Sequence, residues 1–302
     1  MTPARPGSTL GNRATAVRWQ RALRALGHRV RIATVFVPGA FDVVVALHAK
    51  KSAAAVLAAK KLGIPVVLAM TGTDLYRDIT VSRLAARALD AADRIVVLHE
   101  LGARDLPARL RNKVAVVEQS AVMPSVARVR YRVAVVGHLR SEKDPFRTAL
   151  AARGLPLDIV HVGGALNEPM GRRAAREMKH NSRYRWLGER SPAVARRVLA
   201  SAWLLVLSSR IEGGANVLSE ALIARTPILA SRIPSSVGIL GATFPGFFPV
   251  GDTGALRRLL ERALSDEPFR RELLRAGDAR RARFRPARER DAWRAVLAGL
   301  SP

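Results

Sequence analysis

Two glutamates stand eight residues apart around the start of a predicted helix, with a pair of glycines between them. Glu212 directly precedes Gly213 and Gly214, and Glu220 lies in the early helix. An ionised carboxylate is a hydrogen-bond acceptor only, so each glutamate suits the hydroxyl groups of a sugar or a ribose. The glycines let a ligand approach the backbone, where free N–H groups and the helix dipole favour an anion. The alternative interpretation is a glycine turn followed by a solvated helix.

A second glycine turn is followed by two cations. Gly137 comes directly after a predicted strand, and Arg140 and Lys143 follow it in the same loop. A guanidinium and an ammonium group can hold a diphosphate and neutralise the charge that develops on it as it leaves. In isolation, an arginine and a lysine in a loop are usually just solvated.

Both turns are predicted to lie at the carboxyl ends of parallel strands, where loops of doubly wound folds bind their ligands. Short β-branched runs alternate with stretches of helical period, and the runs are continuously apolar, as in strands that are covered on both faces. The predicted strands are residues 30–35, 43–47, 66–70, 95–98, 114–117, 133–136, 159–162, 184–187, 204–207, 228–230 and 247–250. The predicted helices are residues 15–26, 52–62, 82–91, 103–110, 144–153, 170–181, 192–202, 216–224, 254–264, 268–284 and 286–300.

The alternation of strands and helices is interrupted at residues 123–132, which have no clear period and contain a proline. We interpret this stretch as an interdomain linker, since 302 residues is about twice the commonest domain size. The sequence therefore predicts an α/β protein with one β/α domain in residues 1–127 and a second in residues 128–285. Parallel sheets in both domains would face a cleft between the two lobes.

Composition excludes several classes of protein. The chain has no cysteine, so it has no disulfide, no cysteine-ligated zinc or iron–sulfur cluster and no cysteine nucleophile. It also lacks the glycine fingerprint of dinucleotide-binding folds, the Walker A motif, HExxH and GxSxG. An Asp-x-Asp ligand pair is absent as well, and we expect neither a metal nor any other cofactor.

The strongest outlier is charge, with 51 basic against 24 acidic side chains and a net charge of +27. Such a balance points to a polyanion, but the excess is spread evenly along an arginine-rich chain and lacks the interleaved aromatics of a single-strand platform. Specific nucleic-acid binding is therefore not expected, although a nucleic-acid-binding protein remains the alternative if the protein is not an enzyme. The sequence has no apolar leader and no apolar run long enough to span a bilayer, which predicts a cytoplasmic protein.

Longer strings around these turns resemble a known family. The strings are TGTDLYRD at residues 71–78, GHLR at 137–140, EKDPF at 142–146, RYRWLGE at 183–189, SSRIEGGANV at 208–217 and ASRI at 230–233. Over residues 3–297 the chain is similar to the selenosugar synthases of selenoneine biosynthesis, which are retaining family 4 glycosyltransferases of GT-B fold. His138 departs from the pattern, since family 4 usually has arginine there.

The resemblance implies attack by selenophosphate on the anomeric carbon of UDP-N-acetylglucosamine or UDP-glucose. UDP would leave, and loss of phosphate would then give a 1-selenosugar. The implied catalytic residues are Lys143, Arg140, His48 and Glu212. The implied nucleotide-sugar-binding residues are Gly137, His138, Leu187, Gly188, Gly213, Gly214, Asn216, Val217 and Glu220.

The first domain is implied to bind the acceptor. Its candidate residues are Gly7, Ser8, Asn12, Arg13, Lys50, Thr71, Gly72, Thr73, Asp74 and Arg77. Each cation among them, taken alone, is more often a surface charge. His48 could equally be a structural histidine, and residues 71–74 are alternatively an ordinary capped turn. The GT-B fold further implies that residues 286–302 form a helix that crosses back to the first domain. Relatives begin with a strand before the Pro-Gly loop, so we expect the first strand of the N-terminal sheet to be missing.

Two alternatives to a selenosugar synthase remain, and the first differs from it only in the acceptor. A conventional family 4 glycosyltransferase would use an alcohol, a glycan or a lipid instead of selenophosphate. The non-enzymatic alternative, a basic nucleic-acid-binding protein, is disfavoured by Glu212 and Glu220, because carboxylates in a groove repel phosphates.

Overall fold

The computed structural model describes residues 1–8, 11–72 and 74–300 of the 302-residue chain, and they form two compact units. Unit 1 consists of Met1–Ser120 and Arg285–Pro302, and unit 2 is the continuous stretch Ala121–Phe284. The chain therefore leaves unit 1 after Ser120 and returns to it at Arg285. Each unit has a parallel sheet and a hydrophobic core of its own.

Within the described residues, the sheet of unit 1 has four short parallel strands in the order β1-β2-β3-β4. They are β1 (Val44–Leu47), β2 (Val66–Ala69), β3 (Arg94–Val97) and β4 (Val114–Val116). Val45 pairs with Val67, and Leu68 pairs with Ile95. β2 is buried along its whole length, as expected of an unbroken apolar strand that is covered on both faces.

The described residues in the N-terminal part of unit 1 form four helices. They are α1 (Gly11–Ala25), α2 (Ala53–Lys61), α3 (Ile79–Val81) and α4 (Arg83–Ala91). Ser82 begins α4, because its hydroxyl accepts a hydrogen bond of 3.3 Å from the Ala85 amide. A π-helical turn, Asp74–Asp78, leads into α3.

The helix predicted for residues 103–110 is wrong. The segment forms two 3-10 helices instead, Glu100–Asp105 and Ala108–Lys113. Leu106 between them has φ −92° and ψ 148°. It is extended because the ring of Pro107 disfavours a helical conformation in the residue before it.

The strand predicted for residues 30–35 is also wrong, since no regular element is assigned there. The first two residues of the chain lie between this segment and β1. The Met1 ammonium donates to the Val45 carbonyl at 2.5 Å, and the Thr2 amide donates to the Ala33 carbonyl at 2.9 Å. Two residues give too short a ladder for a strand on either side. Burial lowers the pKa of the Met1 ammonium to about 6.

Unit 2 contains six parallel strands among the described residues, in the order β10-β9-β8-β5-β6-β7. They are β5 (Val129–Val136), β6 (Asp158–Val162), β7 (Tyr184–Trp186), β8 (Ala202–Leu207), β9 (Ile228–Ser231) and β10 (Phe247–Phe248). The strand order changes direction between β5 and β8, where Ala134 pairs with Leu205. Such a switch point leaves a crevice at the carboxyl ends of the two strands.

β5 begins inside the stretch that the sequence predicts as a linker. Residues 129–132 pair as a strand, and the Val129 amide donates to the Ser201 carbonyl at 2.8 Å. This end of β5 is exposed or half-buried and carries two arginines. It therefore lacks the apolar run by which the other strands of the sheet were predicted.

Seven helices of unit 2 lie within the described residues. They are α5 (Arg147–Ala151), α6 (Glu168–His180), α7 (Pro192–Ala200), α8 (Asn216–Ala224), α9 (Pro234–Leu240), α10 (Thr253–Ser265) and α11 (Glu267–Arg281). α7 begins as predicted, with Ser191 as N-cap and Pro192 as the first helical residue. α5 is shorter than predicted, because Asp144 is left-handed with φ +43° and Pro145 follows it.

The last helix, α12 (Pro286–Ala298), belongs to unit 1 and packs against α1. The Trp293 and Trp19 rings meet edge to face, with 4.8 Å between their centroids. The Trp19 indole N–H donates to the Glu289 carboxylate at 2.9 Å, and the Ser120 amide donates to the same group at 3.2 Å. Burial raises the pKa of Glu289. The final helix thus completes the core of unit 1.

Among residues 1–8, 11–72 and 74–300, no helix combines the length and the apolar character that crossing a bilayer needs.

Candidate active site

The two glycine turns lie side by side at the switch point of unit 2. Gly137 follows β5 and Ser208 follows β8, and these strands are neighbours in the sheet. The Arg210 amide donates to the Glu142 carbonyl at 2.8 Å, and the Ser208 hydroxyl donates to the Asp144 carbonyl at 2.9 Å. These bonds join the two loops into one surface at the carboxyl ends of the strands.

Lys143 and Glu212 are paired on this surface. The Lys143 ammonium donates to a carboxylate oxygen of Glu212, and the Ser209 hydroxyl donates to the same oxygen at 2.7 Å. The side chain of Lys143 is 18% exposed and that of Glu212 is 8% exposed. Burying an ion pair costs solvation, so its stability depends on such additional hydrogen bonds. The residues implied to hold the diphosphate and the hexose are therefore in direct contact.

Arg140 lies in the same loop with part of its guanidinium unsatisfied. Its Nε atom is buried and has no hydrogen-bond partner among the described residues. A buried donor without a partner costs free energy unless a ligand or water supplies an acceptor. A phosphate oxygen is an acceptor that would satisfy this donor.

The amino end of α8 is the third part of the surface. Ala215 occupies the N-cap position and has no side-chain oxygen to accept from the first-turn amides. Gly213 is buried and Gly214 is half-buried just before it. Asn216 begins the helix, Val217 is buried, and Glu220 is half-buried on the second turn. Glycines followed by an uncapped helix start suit an anion.

The loops after β6 and β7 extend the surface away from the ion pair. His138 Nδ1 accepts a hydrogen bond from the Gly164 amide at 3.2 Å. The Gly163 amide donates to the Gly188 carbonyl, and the Leu187 amide donates to the His161 carbonyl, both at 2.9 Å. Gly188 has φ +69°, a conformation that glycine adopts without strain. His138, Leu187 and Gly188 thus lie in one hydrogen-bonded group of loops.

Gly163 is a residue of the candidate site that the sequence reasoning missed. At Gly163, with φ +154°, an added Cβ would lie 2.0 Å from the Gly137 carbonyl oxygen. Only glycine permits this approach of the two backbones. The signal that could have revealed it is a glycine directly after a predicted strand, as at Gly137.

In unit 1, the structure brings His48 together with Asp74 and Asp78. His48 Nδ1 lies 3.9 Å from the Asp74 carboxylate, and its Nε2 lies 3.7 Å from that of Asp78. His48 is 4% exposed and has φ +74°, an uncommon conformation for a residue other than glycine. Burial lowers the pKa of His48. A neutral imidazole, which can donate and accept one hydrogen bond each, is the form that this cluster favours.

Asp74 organises the backbone around that histidine. Its two carboxylate oxygens accept from the Gly72 amide at 2.7 Å and from the Ala49 amide at 2.9 Å. The side chain is completely buried, and burial raises the pKa of its carboxyl group. Asp74 thereby connects the turn after β2 to the turn after β1.

The other acceptor candidates are less closely joined to this cluster. Lys50 and Arg77 are exposed, whereas Thr71 has a buried hydroxyl without a hydrogen-bond partner among the described residues. Thr73 lies outside the described residues. The remaining candidates are Gly7 with φ +77°, Ser8, and Asn12 and Arg13 in the first turn of α1.

A second histidine of unit 1, His99, was missed by the sequence reasoning. One residue separates it from the end of β3. It is completely buried, and its Nε2 lies 2.8 Å from the Tyr76 hydroxyl, to which it is hydrogen-bonded. Burial lowers its pKa to about 4. In the described part of the chain, no three histidine or carboxylate side chains are grouped so that they could hold a metal ion.

The fold and this surface define a class of protein. Two β/α units with parallel sheets of four and six strands are the architecture of GT-B glycosyltransferases, and the predicted fold class is confirmed. The family model described as "Glycosyl transferases group 1" matches residues 118–280, more than half of the chain. The chain belongs to this glycosyltransferase family.

Solved structures with the same fold are distant in sequence. HepE (Alr3699) from Anabaena in complex with UDP-glucose is 15% identical, with a TM-score of 0.73 over 86% of this chain and 79% of that one. Sucrose-phosphate synthase from Thermosynechococcus elongatus is 15% identical, with a TM-score of 0.67 over 98% of this chain and 82% of that one. The UDP-forming α,α-trehalose-phosphate synthase from Burkholderia vietnamiensis is 12% identical, with a TM-score of 0.66 over 84% and 71%. A search of curated protein sequences found no match.

Proposed function

We propose that this glycosyltransferase transfers a hexose from a UDP-sugar to selenophosphate. The donor would be UDP-N-acetylglucosamine or UDP-glucose, and the product a 1-selenosugar of selenoneine biosynthesis. Family membership supports sugar transfer. The strings at residues 71–78, 137–146, 183–189 and 208–217, which resemble selenosugar synthases, support the acceptor.

One observation carries the donor side of the proposal. Arg140 Nε, the Lys143 ammonium and the uncapped start of α8 all lie at the switch point of unit 2. Three kinds of donor for an anion at the carboxyl ends of β5 and β8 suit a diphosphate. That HepE was solved with UDP-glucose supports a uridine nucleotide in particular.

Within this proposal each residue has a role. Lys143 and Arg140 hold the diphosphate, Glu212 and the amides after it bind the hexose, and Glu220 accepts from the ribose. The ion pair need not break for this, because an ammonium has three protons and can bond Glu212 and a phosphate oxygen together. Leu187 and Gly188 lie beside the base.

The acceptor side rests on unit 1. His48, Lys50 and Arg77, together with the turn that Asp74 holds, would bind the selenophosphate. Selenium attacks the anomeric carbon, the C–Se bond forms, the C–O bond breaks, and UDP leaves with its electron pair. Water then cleaves the Se–P bond to give phosphate and the selenosugar. Selenium is already anionic, so the step needs no general base, and catalysis consists of placement and stabilisation of the leaving group.

The deciding experiment compares acceptors under one set of conditions. The protein is incubated with each UDP-sugar and with selenophosphate, thiophosphate, phosphate or no acceptor, and UDP and products are measured by mass spectrometry. We expect UDP release coupled to a selenosugar only with selenophosphate. Transfer to an alcohol, with no product from selenophosphate, would contradict the proposed acceptor and leave the donor assignment intact. Absence of any UDP-sugar binding, with tight and salt-dependent DNA binding instead, would contradict both.

A further inference from the structure

We propose that His161 is a positioning residue for the Gly137 turn and that Tyr184 fixes the tautomer in which it acts. The inference rests on the proposed function, since it assigns to this turn a backbone donor for the diphosphate of the UDP-sugar. His161 lies on β6 and Tyr184 on β7, and neither is among the residues that the sequence implied.

The hydrogen bonds determine where the imidazole proton lies. His161 Nε2 is 3.0 Å from the Gly137 carbonyl oxygen, and Nδ1 is 2.9 Å from the Tyr184 hydroxyl. A carbonyl oxygen only accepts, so Nε2 must carry a proton. In a neutral ring Nδ1 is then bare, and it accepts from the Tyr184 hydroxyl.

Burial keeps both groups uncharged. His161 is completely buried and Tyr184 is 2% exposed. Desolvation lowers the pKa of His161 to about 4 and raises that of Tyr184. A neutral imidazole and an un-ionised phenol are therefore the forms present at neutral pH, as the hydrogen-bond pattern requires.

The bond to His161 sets the direction of a peptide group in the site. The described peptides are trans, so the Gly137 carbonyl and the His138 amide of the same peptide point in opposite directions. With its carbonyl directed at His161, the peptide directs the His138 N–H away from His161. An amide so directed is a donor for a phosphate oxygen, beside Arg140 and Lys143.

The same peptide supports Lys143. A Cβ at Gly137 would lie 3.6 Å from the Lys143 Cδ, so the lysine stem packs over the glycine. His161, Gly137 and Lys143 also line one small cavity of about 10 Å³. Behind the turn, the Trp186 indole donates to the Gly163 carbonyl at 2.7 Å, which holds the Gly163 backbone against the turn. Tyr184 and His161 thereby act on the diphosphate site through one glycine.

The first test is the tautomer itself. In protein labelled with ¹⁵N-histidine, the His161 signal is identified by its loss in His161→Gln among the six histidines of the chain. We expect a neutral ring protonated at Nε2 in the wild type, and a change of this signature in Tyr184→Phe. A ring protonated at Nδ1 in the wild type would overturn the proposal.

The second test is binding of UDP, measured by calorimetry, together with kcat and KM for the UDP-sugar. His161→Leu should weaken UDP binding about 10-fold or more, and Tyr184→Phe about 3-fold to 10-fold, as expected for one lost hydrogen bond. His161→Gln, whose amide can still donate to the Gly137 carbonyl, should restore part of the loss. Tyr131→Phe, which removes a hydroxyl from the aromatic pair with Trp203, is the matched control.

The outcomes separate this inference from the proposed function. Wild-type UDP affinity in a folded His161→Leu protein would contradict the positioning role and leave the function standing. Equal losses in His161→Leu and His161→Gln would also overturn it, because a purely structural role does not depend on the donor. A wild-type protein that binds no UDP would overturn both.

Discussion

The Lys143 ammonium and the Glu212 carboxylate form a partly buried ion pair, although 69 residues separate them in the chain. The pair joins the loop after β5 to the loop after β8, and Ser209 bonds the same carboxylate oxygen. Each charge therefore holds the other in place. This relationship makes the two loops one surface.

Replacing Lys143 by alanine removes the cation that the proposal places on the leaving group. Turnover of the UDP-sugar should fall by roughly 10²-fold or more. Steady-state release of UDP measures the effect, and Lys179→Ala, at an exposed position on α6, is the control. Turnover at the wild-type level in the Lys143 variant would contradict its role.

Arg140→Ala should separate binding from stability. The buried Nε has no partner among the described residues, so its removal leaves the free energy of unfolding unchanged or slightly raised. UDP should bind about 10-fold more weakly, because a charge-assisted bond to the diphosphate is lost. Urea unfolding and calorimetry check the two parts, with the exposed Arg185→Ala as control. Unchanged UDP affinity would show that Arg140 does not contact the nucleotide.

Gly163→Ala should be far more damaging than Gly154→Ala. Both glycines have positive φ, but a Cβ at Gly163 would lie 2.0 Å from the Gly137 carbonyl oxygen, whereas nothing lies within 4 Å at Gly154. We expect a loss of about 3 kcal/mol or more at Gly163 and about 1 kcal/mol at Gly154, measured by urea unfolding. Similar losses at both positions would show that the two backbones can separate without cost.

Stability should decrease as the pH falls from about 6.5 towards 4. Burial lowers the pKa of His99 and His161 to about 4, so in this window the unfolded chain binds protons that the folded chain does not. Because the unfolded state then binds more protons, the free energy of unfolding rises with pH across the window. The contribution of the two histidines is lost below it. Unfolding in urea at pH 5 and pH 7.5 measures the slope.

Substitutions of single histidines test which residues cause this pH dependence of the free energy of unfolding. His161→Gln and His99→Gln should each flatten it, whereas His28→Gln, at an exposed position, should leave it unchanged. A slope that persists in the double variant of His99 and His161 would assign it to other groups.

The sequence predicted those parts of the fold that depend on local pattern. Apolar runs located the strands from β1 to β10, although Arg185 interrupts β7, and Ser191-Pro192 located the start of α7. The errors arose where neighbours decide the structure. Residues 30–35 have a strand's composition, but among the described residues only Thr2 bonds to their backbone with its own. Arg130 and Arg132 interrupt the apolar pattern at the exposed end of β5.

The candidate site, like the fold, could be predicted from the sequence only in part. Glycines and charges in the loops after β5 and β8 were visible in the sequence, because their spacing itself suggests an anion site. The contact of His161 with Gly137 was not, because it depends on the pairing of β5 with β6 and on a hydrogen bond between His161 on β6 and Tyr184 on β7. No spacing in the chain indicates which buried histidine reaches which carbonyl.

Because unit 1 consists of two separate stretches of the chain, its synthesis begins before that of unit 2 but is completed after it. The ribosome produces Trp19 well before Trp293, yet the two rings meet in one core. Unit 2 is continuous and can finish folding while the chain is still being made, since domains generally fold as units during translation. Unit 1 must wait for α12, so its apolar surface around α1 stays open to chaperones until that helix has been made.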